Sequence, residues 1–224
     1  MEKVKLLVKG FVTNIIFSAI LFVCAARMDY TQGWIFLSIN ILSTLMNYFT
    51  IYKNTDLINE RSNLGEGIKS WDKLLLGLSA IVYLIIIIIA GLDSGRFLWT
   101  KNFNWILIIT GILLTIIGQV LFLRARSQNN FFSSVVRIQK ERGHTVCDKG
   151  LYKIVRHPGY LGMMISLISL PFITTSVWSS IPTLAAVILL LIRTSLEDKT
   201  LMNELEGYVE YSMKTRYKLI PLVW

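Results

Sequence analysis

The sequence predicts an all-α polytopic membrane helical bundle of about six transmembrane helices with a cytoplasmic C-terminal helix, and three observations predict it. Hydrophobic residues make up 54% of the 224 and charged residues only 17%, a balance too apolar for an ordinary soluble domain. The apolar residues fall in blocks of about 20, the length that crosses a hydrocarbon core of about 30 Å at 1.5 Å per residue. The blocks are continuous runs rich in Ile, Leu and Phe, with 4 prolines in the whole chain, whereas a barrel shows alternating segments of about ten residues.

The first span is expected at about Phe11–Ala26, behind Glu2, Lys3, Lys5 and Lys9. It lacks a convincing small-residue cleavage site and reads as a retained helix rather than a cleaved signal. The second is expected at Trp34–Tyr52, the third at Leu74–Leu92 and the fourth at Trp105–Leu123, so that residues 1–123 form a four-helix membrane region. Residues 124–224 open with a long polar stretch, followed by a fifth span at Gly159–Thr175 and a sixth at Ser180–Ile192. Pro171 and Pro182 interrupt these two, and a tight hairpin that does not fully cross is the alternative. The tail, Arg193–Leu219, has helical spacing with a polar and an apolar face. With no internal repeat and no dividing linker, the chain reads as one domain.

Lys and Arg fix the expected orientation. One side holds Lys3, Lys5, Lys9, Lys53, Arg61, Lys69, Lys73, Arg124, Arg126, Arg137, Lys140, Arg142, Lys149, Lys153, Arg156, Arg193, Lys199, Lys214, Arg216 and Lys218; the other holds Arg27, Arg96 and Lys101. Six spans with both termini in the cytoplasm give this split. The net charge of +9 therefore belongs to loops that meet anionic membrane lipids rather than nucleic acid. Cys24 and Cys147 show neither metal-ligand spacing nor a disulfide framework, so no metal is expected. Pro221-Leu222-Val223-Trp224 carries no lipidation signal.

The most specific stretch runs from Gly150 through Leu151, Tyr152, Arg156, His157, Pro158 and Tyr160 to Gly162, where a basic loop enters the fifth span. Pro158 suits a first helical turn, whose free N–H groups favour an anion such as a carboxylate. Gly159 and Gly162 leave room for something to lie against the backbone. Read singly, an Arg-His pair is an interfacial anchor and such glycines are helix-packing sites. The second stretch contains Arg193, Glu197, Asp198, Leu201, Gly207, Tyr208, Tyr211, Arg216 and Pro221. On a helix Arg193 and Glu197 are one turn apart. An acidic pair at a membrane boundary needs a cation, a wet pocket or solvent; a solvated amphipathic helix on the membrane surface is the plainer reading.

In order, the two stretches resemble the isoprenylcysteine carboxyl methyltransferase-like family of integral membrane methyltransferases. Its mark is Gly-x-Tyr-x-x-x-Arg-His-Pro-x-Tyr-x-Gly before a helical hairpin, then an acidic pair, Leu, Gly-x-x-Tyr, a basic residue and Pro. His144-Thr145-Val146 is similar to the family's His-x-Val just upstream. Asp198 stands where Glu is commoner and Leu151 where Pro is common. The resemblance covers about the last 80 residues and implies an S-adenosylmethionine-dependent methyltransferase releasing S-adenosylhomocysteine. It implies a cytoplasm-facing cofactor site formed by His144, Val146, Gly150, Leu151, Tyr152, Arg156, His157, Pro158, Tyr160, Gly162, Glu197 and Asp198.

The implied reaction is carboxyl O-methylation of a lipidic or prenylated acceptor, an isoprenylcysteine-like thioether. A carboxyl with a pKa near 3.5 is already ionised at pH 7, so the enzyme must desolvate and align rather than deprotonate. A basic residue should orient the acceptor carboxylate: Arg193 is the first choice and Arg216 the second. An amine or hydroxyl acceptor would instead need a base, Glu197 or His157. The first four spans carry no usable part of the resemblance. Hence a phospholipid methyltransferase, a sterol-type membrane reductase using a nicotinamide cofactor, and a non-enzymatic transporter or assembly factor on the same scaffold stay open.

Overall fold

In the computed structural model, which describes residues 2–52, 58, 60, 67–101 and 104–224, all regular structure is helical. The helices are α1 (Glu2–Ala25), α2 (Thr31–Ile51), α3 (Ser70–Ala90), α4 (Trp105–Gln128), α5 (Pro158–Thr174), α6 (Ser180–Glu204) and α7 (Tyr208–Lys214). The expectation of an all-α bundle holds. α1, α3, α4 and α6 are long and apolar enough to cross a membrane. α5, with 17 residues, is a shorter apolar helix. Lys53 and Arg61, both counted in the expected orientation, lie outside the described residues.

The apolar blocks form helices as expected, but their ends differ. α3 continues into a π-helical turn, Gly91–Phe97, closed by Leu98 at φ 51°. This turn is possible because Gly91 and Gly95 lie against α1: a Cβ on Gly95 would stand 2.8 Å from the Ala25 Cα. The turn carries Asp93 into a fully buried position. There it accepts from the Thr100 N–H (2.7 Å), the Thr100 hydroxyl (2.8 Å), the Ser176 hydroxyl (2.6 Å) and the Trp178 N–H (3.3 Å). A buried carboxylate is tolerable only when so satisfied, and this one ties α3 to the α5–α6 connection.

α4 and α5 pack along a seam of small residues. A Cβ on Gly162 would lie 2.5 Å from the Gly118 carbonyl oxygen, and one on Gly111 2.8 Å from the Ile173 nitrogen. Close backbone approach of this kind is how apolar helices gain packing in lipid, where hydrophobic transfer contributes little. The Thr115 hydroxyl adds a 2.8 Å hydrogen bond to Ser169 across the seam. Pro171 sits inside α5 without ending it, and Pro182 lies in the first turns of α6, where a missing N–H costs least.

The helix of the sixth span, expected at Ser180–Ile192, continues into the tail. α6 runs on to Glu204, because residues 193–204 contain no Gly or Pro and hold several strong helix formers. Arg193, Glu197 and Asp198 thus belong to the spanning helix itself. The separate tail helix is only α7, entered through Gly207 at φ 78°, a left-handed conformation that suits glycine.

Candidate active site

A continuous cavity of about 710 Å³ lies between the helices. One end is lined by His157, Tyr160, Arg193 and Glu197, and the other by Phe36, Ile39, Tyr83, Leu170, Ile173 and Ala186. The wall at the polar end comes from the 129–157 loop, the start of α5, the second half of α6 and α7.

The Arg-His-Pro segment is anchored first by its backbone. The Arg156 and His157 N–H groups donate to the Tyr217 and Lys218 carbonyls, each at 2.9 Å. The Arg156 guanidinium then grips Asp198 in a fork, Nε to Oδ1 and Nη2 to Oδ2, both 2.8 Å. Its Nη1 donates to the carbonyls of Thr215 (2.9 Å) and Arg216 (2.8 Å). Asp198 also meets His157 Nε2 at 3.1 Å and accepts from the Tyr208 hydroxyl at 2.9 Å. Burial, reinforced by the neighbouring Asp198 carboxylate, pushes the Tyr208 phenol far above its ordinary value, so it acts as a donor. The charge-assisted fork welds the entrance of α5 to α6 and to the chain terminus.

Glu197, one residue earlier, faces another way. It accepts from the Tyr160 hydroxyl and forms no ion pair among the described residues. Beside it, the Arg193 guanidinium lies over the Tyr160 ring, 5.3 Å from the centroid. Arg193 is paired not with Glu197 but with fully buried Asp72 of α3, Nε to Oδ1 at 2.7 Å and Nη2 to Oδ2 at 3.3 Å. Nη2 also donates to the Ser134 carbonyl at 2.9 Å, and Asp72 Oδ2 accepts from the Val136 N–H at 2.8 Å. Nη1 of Arg193 has no partner among the described residues, and Arg193 lines the cavity.

The 129–157 loop is held by its own contacts. Phe131 stacks on His144 with centroids 4.5 Å apart, and Arg142 lies over the same ring at 5.4 Å. Burial, with help from the Arg142 and Arg137 charges, pushes His144 down to about 4; it is neutral at physiological pH, consistent with Nδ1 accepting from the Gln139 N–H at 3.3 Å. Arg137 is buried against Glu60, Nη2 to Oε2 at 2.6 Å, and reaches Glu141 at 2.6 Å. Gly150, at φ 55°, packs against Gln128, whose side-chain oxygen accepts from the Leu151 N–H at 2.8 Å.

Of the residues the sequence singled out, His144, Val146, Tyr152, Arg156, His157, Tyr160, Arg193 and Glu197 meet at the cavity wall. Gly150, Leu151, Pro158, Gly162, Asp198 and Arg216 do not line it. Gly162 receives the backbone of α4, Asp198 supports the wall from behind, and Arg216 has an exposed side chain and contributes its carbonyl. The sequence reading missed Asp72, Phe131 and Phe132. An acid one turn ahead of an apolar block was the available signal for Asp72, but its partner lies 121 residues away.

Residues 107–203 match the family model of the isoprenylcysteine carboxyl methyltransferase (ICMT) family. Probable protein-S-isoprenylcysteine O-methyltransferases from Oryza sativa subsp. indica and Oryza sativa subsp. japonica are each 36% identical over 62 residues. That stretch is 27% of this chain and 32% of the relative, so the chain spans about a third of the length of the curated relatives it matches. The matched region contains the Arg156-His157-Pro158 segment, Arg193, Glu197 and Asp198, and leaves out α1–α3, α7 and Asp72. The resemblance carried by the Arg-His-Pro segment and the acidic pair thus stands as a family match: over residues 107–203, this multi-pass helical chain is similar to the isoprenylcysteine carboxyl methyltransferases.

Proposed function

We propose that the protein is a membrane methyltransferase that takes a methyl group from S-adenosylmethionine to the carboxylate of a lipidic acceptor, an isoprenylcysteine-like thioether being the type. The observation that carries this reading is the single cavity that joins the Glu197 end to an apolar end between the helices. A lipid tail drawn into water loses about 0.8 kcal/mol of burial per CH₂; a cavity of this form lets the tail stay apolar while the head reaches the polar end.

The residues present fit such a donor. Glu197, which forms no ion pair among the described residues, offers a carboxylate suited to an ammonium or sulfonium. Phe131, Phe132, Tyr152 and Tyr208 offer aromatic faces on the same wall for a purine. Arg156 is committed to Asp198 and two carbonyls, and the Tyr160 and Leu161 N–H groups donate to the His157 carbonyl, so in the first turn of α5 the Gly159 N–H is the candidate for the donor carboxylate. Bound S-adenosylmethionine supplies an electrophilic methyl group. The chain's part is to bind, align and exclude water. Arg193, held by Asp72 with Nη1 left over, is placed to orient the acceptor carboxylate. The exposed Arg216 is the second choice. The Lys and Arg residues at the ends of α1 and α4 and in the tail support a cytoplasmic setting for this end of the cavity and for both termini.

Calorimetric titration of the detergent-purified protein with S-adenosylhomocysteine tests the donor. Saturable binding that is weakened in folded Glu197→Ala and His157→Ala variants supports the reading; no binding by folded wild type overturns it. Transfer of label from methyl-tritiated donor then separates a prenyl thioether carboxylate from a phospholipid amine as acceptor.

A further inference from the structure

The depth of the cavity follows from the helices that wall it. On α6 it is lined by Ala186, Leu190, Arg193 and Glu197, residues three or four apart that share one helix face. From Glu197 to Ala186 the helix rises about 16 Å at 1.5 Å per residue. On α5 the lining runs from Tyr160 to Ile173, a rise of about 20 Å. α3 agrees with α6: Asp72, which holds Arg193 at the polar end, and Tyr83, which lines the apolar end, are about 16 Å apart along the axis.

Beyond Ala186 the bundle is closed by two layers. The first is apolar: Phe36, Ile173 and Ala186 line the cavity and belong to one packed cluster with Leu21, Ile86, Ile87 and Ala90, which are fully buried and do not line it. The second is hydrogen-bonded. The Tyr30 hydroxyl meets Ser94 Oγ at 2.7 Å, Gln32 Nε2 donates to Thr175 Oγ1 at 3.0 Å, and Asp93 accepts from the Ser176 hydroxyl at 2.6 Å. All six of these residues are buried, and none lines the cavity. A chain pushed past Ala186 would have to part close-packed side chains and then strand buried polar groups.

We infer that this floor gauges the length of the acceptor's tail, so that the cavity takes a single prenyl chain of up to about three isoprene units and rejects a fourth. An extended chain advances about 1.25 Å per bond, a bond of about 1.5 Å near the tetrahedral angle, so a depth of about 16–20 Å holds about 13–16 bonds. The carboxyl, α- and β-carbons and sulfur of a thioether head take about four of these and leave roughly 9–12 for the tail, at about four main-chain carbons per isoprene unit. Ala186 is the specificity-determining residue: it is the smallest side chain named at the floor, and a larger one there shortens the cavity. The inference rests on the proposed placement of the acceptor carboxylate at the Arg193–Glu197 end, and it deepens that reading by giving the tail its length.

The test measures binding of S-geranyl, S-farnesyl and S-geranylgeranyl N-acetylcysteine to the full-length protein in lipid nanodiscs, at equal mole fraction of probe in the bilayer. Wild type, Ala186→Phe and Phe36→Ala are compared, with S-adenosylhomocysteine binding and thermal unfolding recorded on each sample. The farnesyl probe is expected to bind wild type about tenfold more tightly than the geranylgeranyl probe, which overfills the cavity. Ala186→Phe is expected to move the preference to the geranyl probe, and Phe36→Ala, which opens space instead of filling it, to admit the geranylgeranyl probe. Geranylgeranyl binding wild type as tightly as farnesyl, no binding of any probe, or an order of probes unchanged in the folded variants overturns the inference. Any of these with S-adenosylhomocysteine binding retained would remove the gauge and leave the donor site. Absence of S-adenosylhomocysteine binding with the tail preference intact would remove the methyltransferase reading and leave a prenyl site.

Discussion

Arg156 and Asp198 meet through two parallel hydrogen bonds of 2.8 Å while both side chains are buried. The rest of the guanidinium holds the 215–216 carbonyls. One ion pair therefore fixes three separate pieces of chain around the polar end of the cavity: the loop before α5, the second half of α6 and the terminal segment. Desolvating two charges is costly, and removing one partner leaves the other uncompensated.

Asp198→Asn is expected to lower stability by about 3–5 kcal/mol, the usual cost of breaking a buried pair, read as a loss of midpoint in denaturant or heat. Glu197→Gln, which breaks no ion pair among the described residues, is expected to leave the midpoint nearly unchanged and to weaken S-adenosylhomocysteine binding. If the two substitutions exchanged these effects, the division between a supporting Asp198 and a cavity-facing Glu197 would be wrong.

Gly162→Ala separates packing from ligand contact. The added methyl meets the Gly118 oxygen at 2.5 Å and the Phe122 nitrogen at 2.7 Å, backbone atoms that yield only if α4 and α5 part. Overpacking of this kind costs about 1–3 kcal/mol. Thermal unfolding should show that loss, with S-adenosylhomocysteine affinity of the folded fraction retained. A stable variant with weakened binding would instead put Gly162 in the cofactor site.

Much of this was legible in the sequence because it is local. Apolar block length gave α1, α3 and α4, and the spacing of Arg156, His157, Pro158 and Tyr160 pointed to one end of a helix that lines the cavity. What stayed hidden is pairing across the bundle. Nothing in a single sequence distinguishes Asp72 as the partner of Arg193, because the choice between Asp72 and the nearby Glu197 is made by how α3 and α6 cross. The same holds for Glu197 and Asp198. Adjacent on a helix, they point about 100° apart, at 3.6 residues per turn, so an acidic pair in sequence becomes one cavity-lining carboxylate and one structural anchor. The sequence ends the apolar run of the sixth span at Ile192, ahead of the charged Arg193, whereas in the fold Arg193 is paired with Asp72 and α6 continues to Glu204.

Asp72 holds the Arg193 guanidinium, and in the proposed reaction that makes it a positioning residue. Asp72→Asn keeps the shape but loses the charge that holds the guanidinium. With a carboxylate acceptor it is expected to raise acceptor KM or lower turnover by about a hundredfold, the scale of a small misplacement at a reacting centre. S-adenosylhomocysteine affinity should stay near wild type, and Asp72→Glu should restore part of the rate. A uniform loss of donor binding and acceptor turnover together would mark Asp72 as purely structural.

His144 gives the fold a dependence on acid. Its ring is stacked on Phe131, and burial, then the Arg142 and Arg137 charges, lower it from 6.5 to about 4. Between those two values the unfolded chain binds a proton that the folded chain refuses, so stability rises with pH across the window. The contribution is complete above about pH 6.5 and is lost as pH falls toward about 4. Melting temperature measured against pH should therefore fall more steeply on the acid side for wild type than for His144→Phe, which keeps the stacking and cannot titrate. Parallel curves would mean that the ring takes up its proton as freely in the folded protein as in the unfolded chain, and that Phe131 and the two arginines do not hold it neutral.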